Sequence, residues 1–391
     1  MTSAALPVVN PSEPLRGAAL RGAHPVAWLL EDWQALMEEL DQPPFRAQQI
    51  FRWVQLRGVL DPQAMTNLDL GLRARLGELD WSAPARVESV KQASDGTQKL
   101  LLALPAGGRV ECVLIPMTRA TEDADAAAAE DDPEGAQPVG ERSGAERVTL
   151  CVSTQYGCAM GCTFCASGQA GLLRGLGAAE VVWQVQLAKQ ALLPGHELRN
   201  LVFMGMGEPL HRYDETARAL RLLTHPDGLS ISPRRITVST VGLVPGIRRL
   251  GEDFGGKVGL AVSLHAPENA TRDRIVPINR RYPLEQLIAA LENYPLPRRR
   301  RITIEYTLIA GVNDRRDQAQ ALARLLQPLR VKVNLIPMNP ISGSSLSAPP
   351  EAQVEAFRAE LARARVSCSV RRRRGDDVAA ACGQLALEPS I

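Results

Sequence analysis

The chain has 391 residues, enough for one core of barrel size with small appendages, and a formal net charge of only +2. It has no run near the roughly 18 uninterrupted apolar residues of a membrane helix, and its proline-broken start does not look like a signal peptide. Seven cysteines without an export signal argue against a disulfide framework and favour metal binding or thiol chemistry. We therefore expect a cytoplasmic monomer that does not bind membranes.

A small helical domain is predicted over residues 26–85. Trp33, Leu36 and Leu40 recur at the spacing of one helix face. Residues 1–25, which precede it, are predicted to be disordered.

A short β extension is predicted next, over residues 86–117, with strands at residues 98–104 and 110–116. Residues 118–147 are then rich in Ala, Asp, Glu, Gly and Pro and have almost no large apolar side chains. Such a segment buries too little apolar surface to fold, so we predict an acidic, disordered insertion.

Strand and helix patterns alternate through residues 148–370, and residues 371–391 form a C-terminal segment. The predicted strands lie at residues 148–154, 200–204, 235–240, 258–264, 302–308 and 331–336. Six βα units predict a parallel sheet and an α/β fold class.

The alternation within these strands distinguishes an open sheet, apolar on both faces, from a barrel with a polar interior. Val262 and Leu264 lie on one face of their strand, and Ser263 and His265 on the other. The other strands show a similar split. We therefore predict a partial (β/α)6 barrel with a small and polar inner face.

Three cysteines, Cys158, Cys162 and Cys165, follow the first strand of this predicted barrel within eight residues. A structural zinc site usually has four ligands, so three leave one position of a metal centre open. In a 4Fe-4S cluster, the open iron can bind S-adenosylmethionine and pass an electron to its sulfonium, which yields a 5′-deoxyadenosyl radical. The spacing resembles that of the radical S-adenosylmethionine superfamily; the alternative is a zinc site closed by a distant residue.

A glycine-rich turn, MGMGEP, follows the second strand at residues 204–209. Its glycines would let the backbone approach a cofactor, and Glu208 could bind the cofactor's ammonium group. Two further cysteines, Cys112 and Cys368, are interpreted as small apolar side chains in the core.

The segments CVSTQYGC, MGMGEP, AVSLHAP, NLIPMNP and RRGDDVAAACGQ, together with the cysteine loop, are similar to those of the RlmN family of adenine-C2 RNA methyltransferases. The similarity covers most of residues 148–386. The helical domain also resembles the N-terminal domain of that family, which implies a role in docking RNA.

The resemblance implies that Cys382 carries the methyl group and that Cys151 resolves the adduct with RNA by forming a transient disulfide. Glu111 would accept the C2 proton; it shares a strand face with Val113 and Ile115, an apolar setting that would raise its basicity. The cofactor contacts implied are Gly207, Glu208, Ser239, Ser263, Leu264, His265 and Asn339. Two molecules of S-adenosylmethionine would be used per turnover, with an external electron donor such as flavodoxin or ferredoxin.

The resemblance also implies two RNA substrates: 23S rRNA near the peptidyl-transferase centre, and tRNA beside the anticodon. Arginines at residues 298–301 and 371–374, with Arg272, Arg274, Arg280 and Arg281, would then contact phosphates, although such runs are commonly just solvated. An aromatic content of 4% argues against base stacking as the main mode of binding. We expect a flipped target base in the barrel mouth.

Two alternatives remain at this point. A related adenine-C8 methyltransferase would share the cluster and both reactive cysteines, although GEPL at residues 207–210 favours C2. A non-catalytic RNA-binding protein with structural zinc is the alternative from another class.

Overall fold

The computed structural model describes residues 23–117, 145–371 and 374–385. Most of the predicted disordered N-terminus and acidic insertion therefore lie outside the described residues, as do Arg372 and Arg373. The strand after the insertion begins at Glu146, so the last two residues of the predicted insertion belong to the sheet.

The N-terminal part is helical, with short 3-10 turns at Pro25–Ala27 and Pro62–Ala64 and a π-helical turn at Arg52–Leu56. Its α-helices are α1 (Leu30–Glu39), α2 (Phe45–Phe51) and α3 (Leu70–Leu76). The Asp69 carboxylate accepts the Leu72 N–H at 2.8 Å and caps the start of α3. Trp33 and Met37 of α1 are fully buried, as the helical spacing predicts.

The described strands, apart from one hairpin, form one sheet in the order β1-β2-β3-β4-β7-β8-β9-β10-β11-β12. Its strands are β1 (Arg86–Gln92), β2 (Gln98–Ala103), β3 (Arg109–Pro116), β4 (Glu146–Cys151), β7 (His196–Phe203), β8 (Ile236–Thr240), β9 (Gly259–Ser263), β10 (Ile302–Leu308), β11 (Val331–Pro337) and β12 (Cys368–Val370). The hairpin consists of β5 (Gln155–Gly157) and β6 (Leu172–Gly175). Strand β1 was not predicted from the sequence because it is an exposed edge strand without an apolar face.

Strand β4 and strands β7 to β12 are parallel, whereas β1 to β3 are antiparallel and join the sheet at β4. The remaining helices are α4 (Ala166–Gln169), α5 (Ala178–Gln190), α6 (Tyr213–Thr224), α7 (Val244–Phe254), α8 (Asn269–Ile275), α9 (Leu284–Glu292), α10 (Arg316–Leu326) and α11 (Glu351–Arg363). This arrangement confirms the predicted α/β class. In the described ranges, no helix is long and apolar enough to cross a membrane.

The strand register places the predicted polar side chains on one face of the sheet, since residues paired across neighbouring strands share a face. One such row runs from Ser263 through Glu305 and Asn334 to Ser369. Cys151 and Ser239 belong to other rows on the same face. Cys151 pairs with Val113 and Val202, and Ser239 pairs with Ala261. We call this the inner face.

Candidate functional site

The three cysteines of the predicted cluster lie in the loop between β5 and α4. Glycines on both sides of the loop keep it compact: a Cβ on Gly157, which has φ +79°, would overlap the Gly171 carbonyl oxygen, and one on Gly168 would lie 2.9 Å from the Cys162 nitrogen. The Cys158 N–H donates to the Gly171 carbonyl at 2.9 Å. The loop therefore holds its thiols on a rigid backbone.

Burial is the main influence on these thiols. It raises the pKa of Cys158 to about 12 and that of Cys162 well above its usual value. The Cys165 thiolate raises both further, and the Cys158 thiolate adds to the shift of Cys162. Thiols so close together ionise only with a cationic partner, and a metal centre provides one by displacing their protons. The residues present therefore fit a cluster.

No group of three or more His, Cys, Asp or Glu side chains within residues 23–117, 145–371 and 374–385 is arranged to hold a single metal ion. A 4Fe-4S cluster does not require such a group, because each cysteine binds a different iron atom. A closed zinc site would require one.

Arg272 is fully buried, so its predicted role in an exposed phosphate-binding set is wrong. Its guanidinium donates to the Leu264 carbonyl at 2.9 Å and to Asn279 Oδ1 at 2.9 Å, and also to the carbonyls of Val241 and Ser263. It thus ties together the ends of β8 and β9 and the turn after α8. A charged side chain is rarely buried unless it is paired in this way, which is why the sequence predicted exposure.

The buried arginine also lies close to the cysteine loop. Burial lowers the pKa of Arg272 to about 10, and the thiolate of Cys162 counteracts that shift. The Thr163 N–H donates to the Ile275 carbonyl at 3.1 Å, which joins the loop to α8. Arg272 and α8 therefore support the cysteine loop and the strand ends together.

We expect Arg272→Leu to lower the free energy of unfolding by about 3–5 kcal/mol, because buried carbonyls lose their charged donor. Arg274→Leu is the matched control, since Arg274 is exposed on the same helix and its loss should cost less than about 0.5 kcal/mol. Chemical denaturation of the metal-free protein measures both. Equal stability of the two variants would contradict the role given to Arg272.

Glu208 is almost completely buried and spans two loops at the carboxyl ends of the strands. One carboxylate oxygen accepts the Leu210 N–H at 3.0 Å, and the other accepts the Val241 N–H at 2.8 Å. Burial raises the pKa of Glu208 to about 7, although these backbone donors work against it. Gly207, at φ +106°, leaves no room for a side chain, since its Cβ would lie 2.6 Å from Gln155. Glu208 thus orders the turn, and its contact with the cofactor stays a prediction.

His265 is buried between the cysteine loop and β10. Its Nδ1 accepts the Thr307 N–H at 2.9 Å, and its ring meets the edge of Phe164 at 4.6 Å between centroids. Burial lowers its pKa to about 3, with Arg272 contributing, so the imidazole is neutral. Ser239 and Ser263 are partly buried on the inner face, while the Leu264 side chain lies in the core.

Cys151 and Cys382, far apart in the chain, line one small pocket at the carboxyl ends of the strands. Ile115, Met204, Ile336, Asn339 and Arg371 are among the other residues that line it. In a flat sheet, the six strand spacings from β4 to β12 would measure about 29 Å. The sheet must therefore curl to bring its two sides to one pocket, as a partial barrel does.

Asn339 holds the C-terminal segment in this pocket. Its Nδ2 donates to the Cys382 carbonyl at 2.9 Å, while its buried Oδ1 has no hydrogen-bond partner among the described residues. An unsatisfied amide oxygen of this kind leaves an acceptor for a ligand. The site therefore fits the donor groups of S-adenosylmethionine at Asn339.

The C-terminal segment also packs on the cysteine loop. The Ala166 N–H donates to the Gly383 carbonyl at 2.9 Å, and the Ser167 hydroxyl donates to the Leu385 carbonyl. Cys382 is consequently held between the loop that bears the predicted cluster ligands and the strand end that bears Cys151.

Glu111 is buried on β3 but does not line the pocket shared by Cys151 and Cys382. Its Oε1 lies 2.8 Å from Lys99 Nζ, and the Lys99 ammonium also donates to the Ala379 carbonyl at 3.3 Å. Lys99 thus adds a cation that the sequence did not predict to this buried setting, and an ammonium so placed stabilises the ionised carboxylate. The hairpin register causes this pairing: Lys99 pairs with Val113, two residues from Glu111 on the same face.

The exposed arginines at residues 298, 299 and 301 precede β10 and thus lie at the amino ends of the parallel strands. The pocket is at the carboxyl ends, about 20 Å away along a strand. Cys112 is fully buried, as predicted, whereas Cys368 is only partly buried at the sheet edge.

Comparison with known proteins identifies the chain. Residues 152–323 match the Radical SAM superfamily, and residues 30–80 match the ribosomal RNA large subunit methyltransferase N-terminal domain. The dual-specificity RNA methyltransferase RlmN of Sorangium cellulosum is 57% identical over 371 residues, covering 93% of this chain and 95% of that protein. The protein of the same name from Syntrophobacter fumaroxidans is 45% identical, with 92% and 96% covered.

A solved structure agrees with these sequence matches. The crystal structure of a radical SAM methyltransferase from Sphaerobacter thermophilus aligns with a TM-score of 0.80 and 39% identity, covering 93% of this chain and 98% of that one. The predicted fold is thereby confirmed, and the chain belongs to the RlmN family of dual-specificity RNA methyltransferases within the radical S-adenosylmethionine superfamily.

Proposed function

We propose that this enzyme methylates C2 of an adenosine near the peptidyl-transferase centre of 23S rRNA, and of the adenosine beside the anticodon in tRNAs. The names of its relatives support RNA as the substrate class. The observation that carries the proposed reaction is that Cys151 and Cys382 line one pocket next to the cysteine loop. An RNA substrate of this kind implies a cytoplasmic site of action.

Cys158, Cys162 and Cys165 would hold a 4Fe-4S cluster, and Ser239, Ser263 and Asn339 would face S-adenosylmethionine. Backbone groups at Gly207, Leu264 and His265, with the Glu208 carboxylate, would complete the contacts. When bound, S-adenosylmethionine would supply the methyl group, and together with the cluster it would supply the radical chemistry that activates this group. Two S-adenosylmethionine molecules would be used per turnover. An external donor of the flavodoxin or ferredoxin class would supply electrons, and the enzyme would act as a monomer.

Two thiols are needed because adenine C2 is too poor a nucleophile to take a methyl group by ordinary displacement. Cys382 would carry the methyl group, which would give up one hydrogen atom to the bound radical source. Its carbon would then bond to C2 and join protein and RNA covalently, while C2 would lose its proton to a base and one electron to the bound redox centre. The Cys151 thiolate then attacks the sulfur of Cys382: an S–S bond forms, and the S–C bond breaks with its electron pair going to carbon. That carbon takes up a proton and becomes the methyl group, and an external thiol reductant later reduces the disulfide.

Glu111 would accept the proton that leaves C2. The ion pair with Lys99 supports this role, because the ammonium stabilises the ionised form of the carboxylate and only this form can accept a proton. Glu111 lies on the inner face, as does Val113, which pairs with Cys151 on the neighbouring strand. Glu111 and Val113 are two residues apart, or about 7 Å along the strand.

Nucleoside analysis tests the proposed reaction and its site together. We expect the anaerobically reconstituted enzyme, given S-adenosylmethionine, a reductant and unmodified 23S rRNA, to produce 2-methyladenosine that mass spectrometry detects. Cys382→Ala should produce none. Formation of 8-methyladenosine without the 2-methyl isomer would instead support the C8 alternative and refute the proposed position.

A further inference from the structure

Arg371 has a fixed place at the end of the inner face. It follows Ser369 by two residues, and its N–H donates to the Leu335 carbonyl at 2.8 Å, which extends the pairing of β12 with β11 beyond the last strand residue. Because side chains alternate along an extended segment, Arg371 lies on the same face as Ser369. Its side chain lines the pocket that contains Cys151 and Cys382.

A buried thiol such as Cys151 is a weak nucleophile unless a cation lies near it. Burial raises the pKa of Cys151 to about 12, the Cys382 thiolate raises it further, and the Arg371 guanidinium lowers it. Among the described residues, Cys112 on the neighbouring strand and Arg374 in the pocket are further titratable groups near Cys151. Arg374 lies 3.9 Å from the Asp95 carboxylate, so its charge is already partnered.

Glu305 is a buried carboxyl group on the inner face, near Arg371. One of its carboxylate oxygens accepts the Asn334 amide at 3.0 Å, while Oε2 has no hydrogen-bond partner in the described part of the chain. The Cys382 thiolate raises the pKa of Arg371 most, and the Glu305 carboxylate and the Cys151 thiolate raise it further. Burial raises the pKa of Glu305 and the Arg371 guanidinium counteracts that shift, so each of the two groups favours the charged form of the other.

We propose that Arg371 is a positioning residue for the thiol chemistry, whose fixed positive charge stabilises the Cys151 thiolate before it attacks the sulfur of Cys382. This inference rests on the proposed roles of the two cysteines. In the step concerned, the S–S bond forms, the S–C bond of Cys382 breaks, and the carbon takes up the electron pair and a proton. Arg371 therefore stabilises the negative charge on Cys151 before the attack, and this charge moves from Cys151 to the carbon during the step.

The first test measures the ratio of covalent protein–RNA adduct to methylated RNA. A guanidinium near a thiolate shifts its pKa by about one unit, which is tenfold in thiolate concentration. We therefore expect the ratio to rise about tenfold in Arg371→Gln and Arg371→Met, and to return most of the way to the wild-type value in Arg371→Lys. Arg324→Gln removes an exposed charge from α10, outside this pocket, and should leave the ratio unchanged.

The second test does not depend on turnover. In the reconstituted enzyme under anaerobic conditions at pH 9, iodoacetamide should alkylate Cys151 about tenfold more slowly in both neutral variants, as measured by peptide mass spectrometry. Cys368 lies three residues before Arg371 but on the opposite face of the strand, so it is the internal reference and should react equally in all variants. Two neutral variants, Arg371→Gln and Arg371→Met, are used so that the test still works if one of them misfolds. Thermal unfolding shows whether each variant is folded.

The two tests separate failure of this inference from failure of the proposed function. Wild-type alkylation of Cys151 and a wild-type adduct ratio in the neutral variants would overturn the role of Arg371. If Cys151→Ala forms no adduct while alkylation still slows, the proposed function fails, but the electrostatic action of Arg371 on Cys151 stands.

Discussion

Cys151→Ala is expected to accumulate a covalent adduct between protein and RNA and to release almost no methylated product. Without the Cys151 thiolate, no sulfur nucleophile is available in the pocket to attack Cys382, so the S–C bond to the RNA persists. Turnover should fall by at least about 10³-fold, a scale typical of the loss of a covalent-chemistry residue. Denaturing electrophoresis with labelled RNA measures the adduct, and nucleoside mass spectrometry measures the product.

Two control variants isolate the role of Cys151. Cys112→Ala removes a fully buried thiol from the neighbouring strand β3 and should neither trap RNA nor stop methylation. Cys382→Ala should form no adduct at all, because it lacks the sulfur that carries the methyl group. Equal behaviour of the Cys151 and Cys382 variants would overturn the two assigned roles.

Cys162→Ser is expected to abolish the cluster and with it all detectable methylation. Three thiolates are available for four iron atoms, so loss of one leaves too few ligands to retain the cluster. Iron in the reconstituted protein should fall from about four atoms per chain to near zero, with loss of the brown colour. Iron analysis, visible absorption and release of 5′-deoxyadenosine after reduction measure these effects.

Cys368→Ser is the matched control for the cluster variant, because Cys368 lies at the edge strand β12, remote from the cysteine loop. It should keep the wild-type iron content and activity. A colourless wild-type protein that contains one zinc ion would contradict the cluster assignment, and Cys162→Ser with normal iron would contradict the role of Cys162.

Much of the fold and of the candidate site was predictable from the sequence by itself because the signals are local. Alternation of side chains along each strand assigned Ser239, Ser263 and Glu305 to one face, and the register confirms it. The spacing of the three cysteines and the glycines around them likewise depends only on neighbours in the chain. Strand β1 was not predicted, because it is an exposed edge strand and its sequence lacks an apolar face.

Only the tertiary structure determined which charged side chains are paired and which cysteines line the same pocket. Arg272 appeared to be one of several exposed arginines, and its burial depends on carbonyls from two strand ends that converge on it. The pairing of Lys99 with Glu111 depends on hairpin register, and the shared pocket of Cys151 and Cys382 depends on curling of the sheet. Side-chain periodicity shows which face a residue occupies, but long-range packing determines what it faces there.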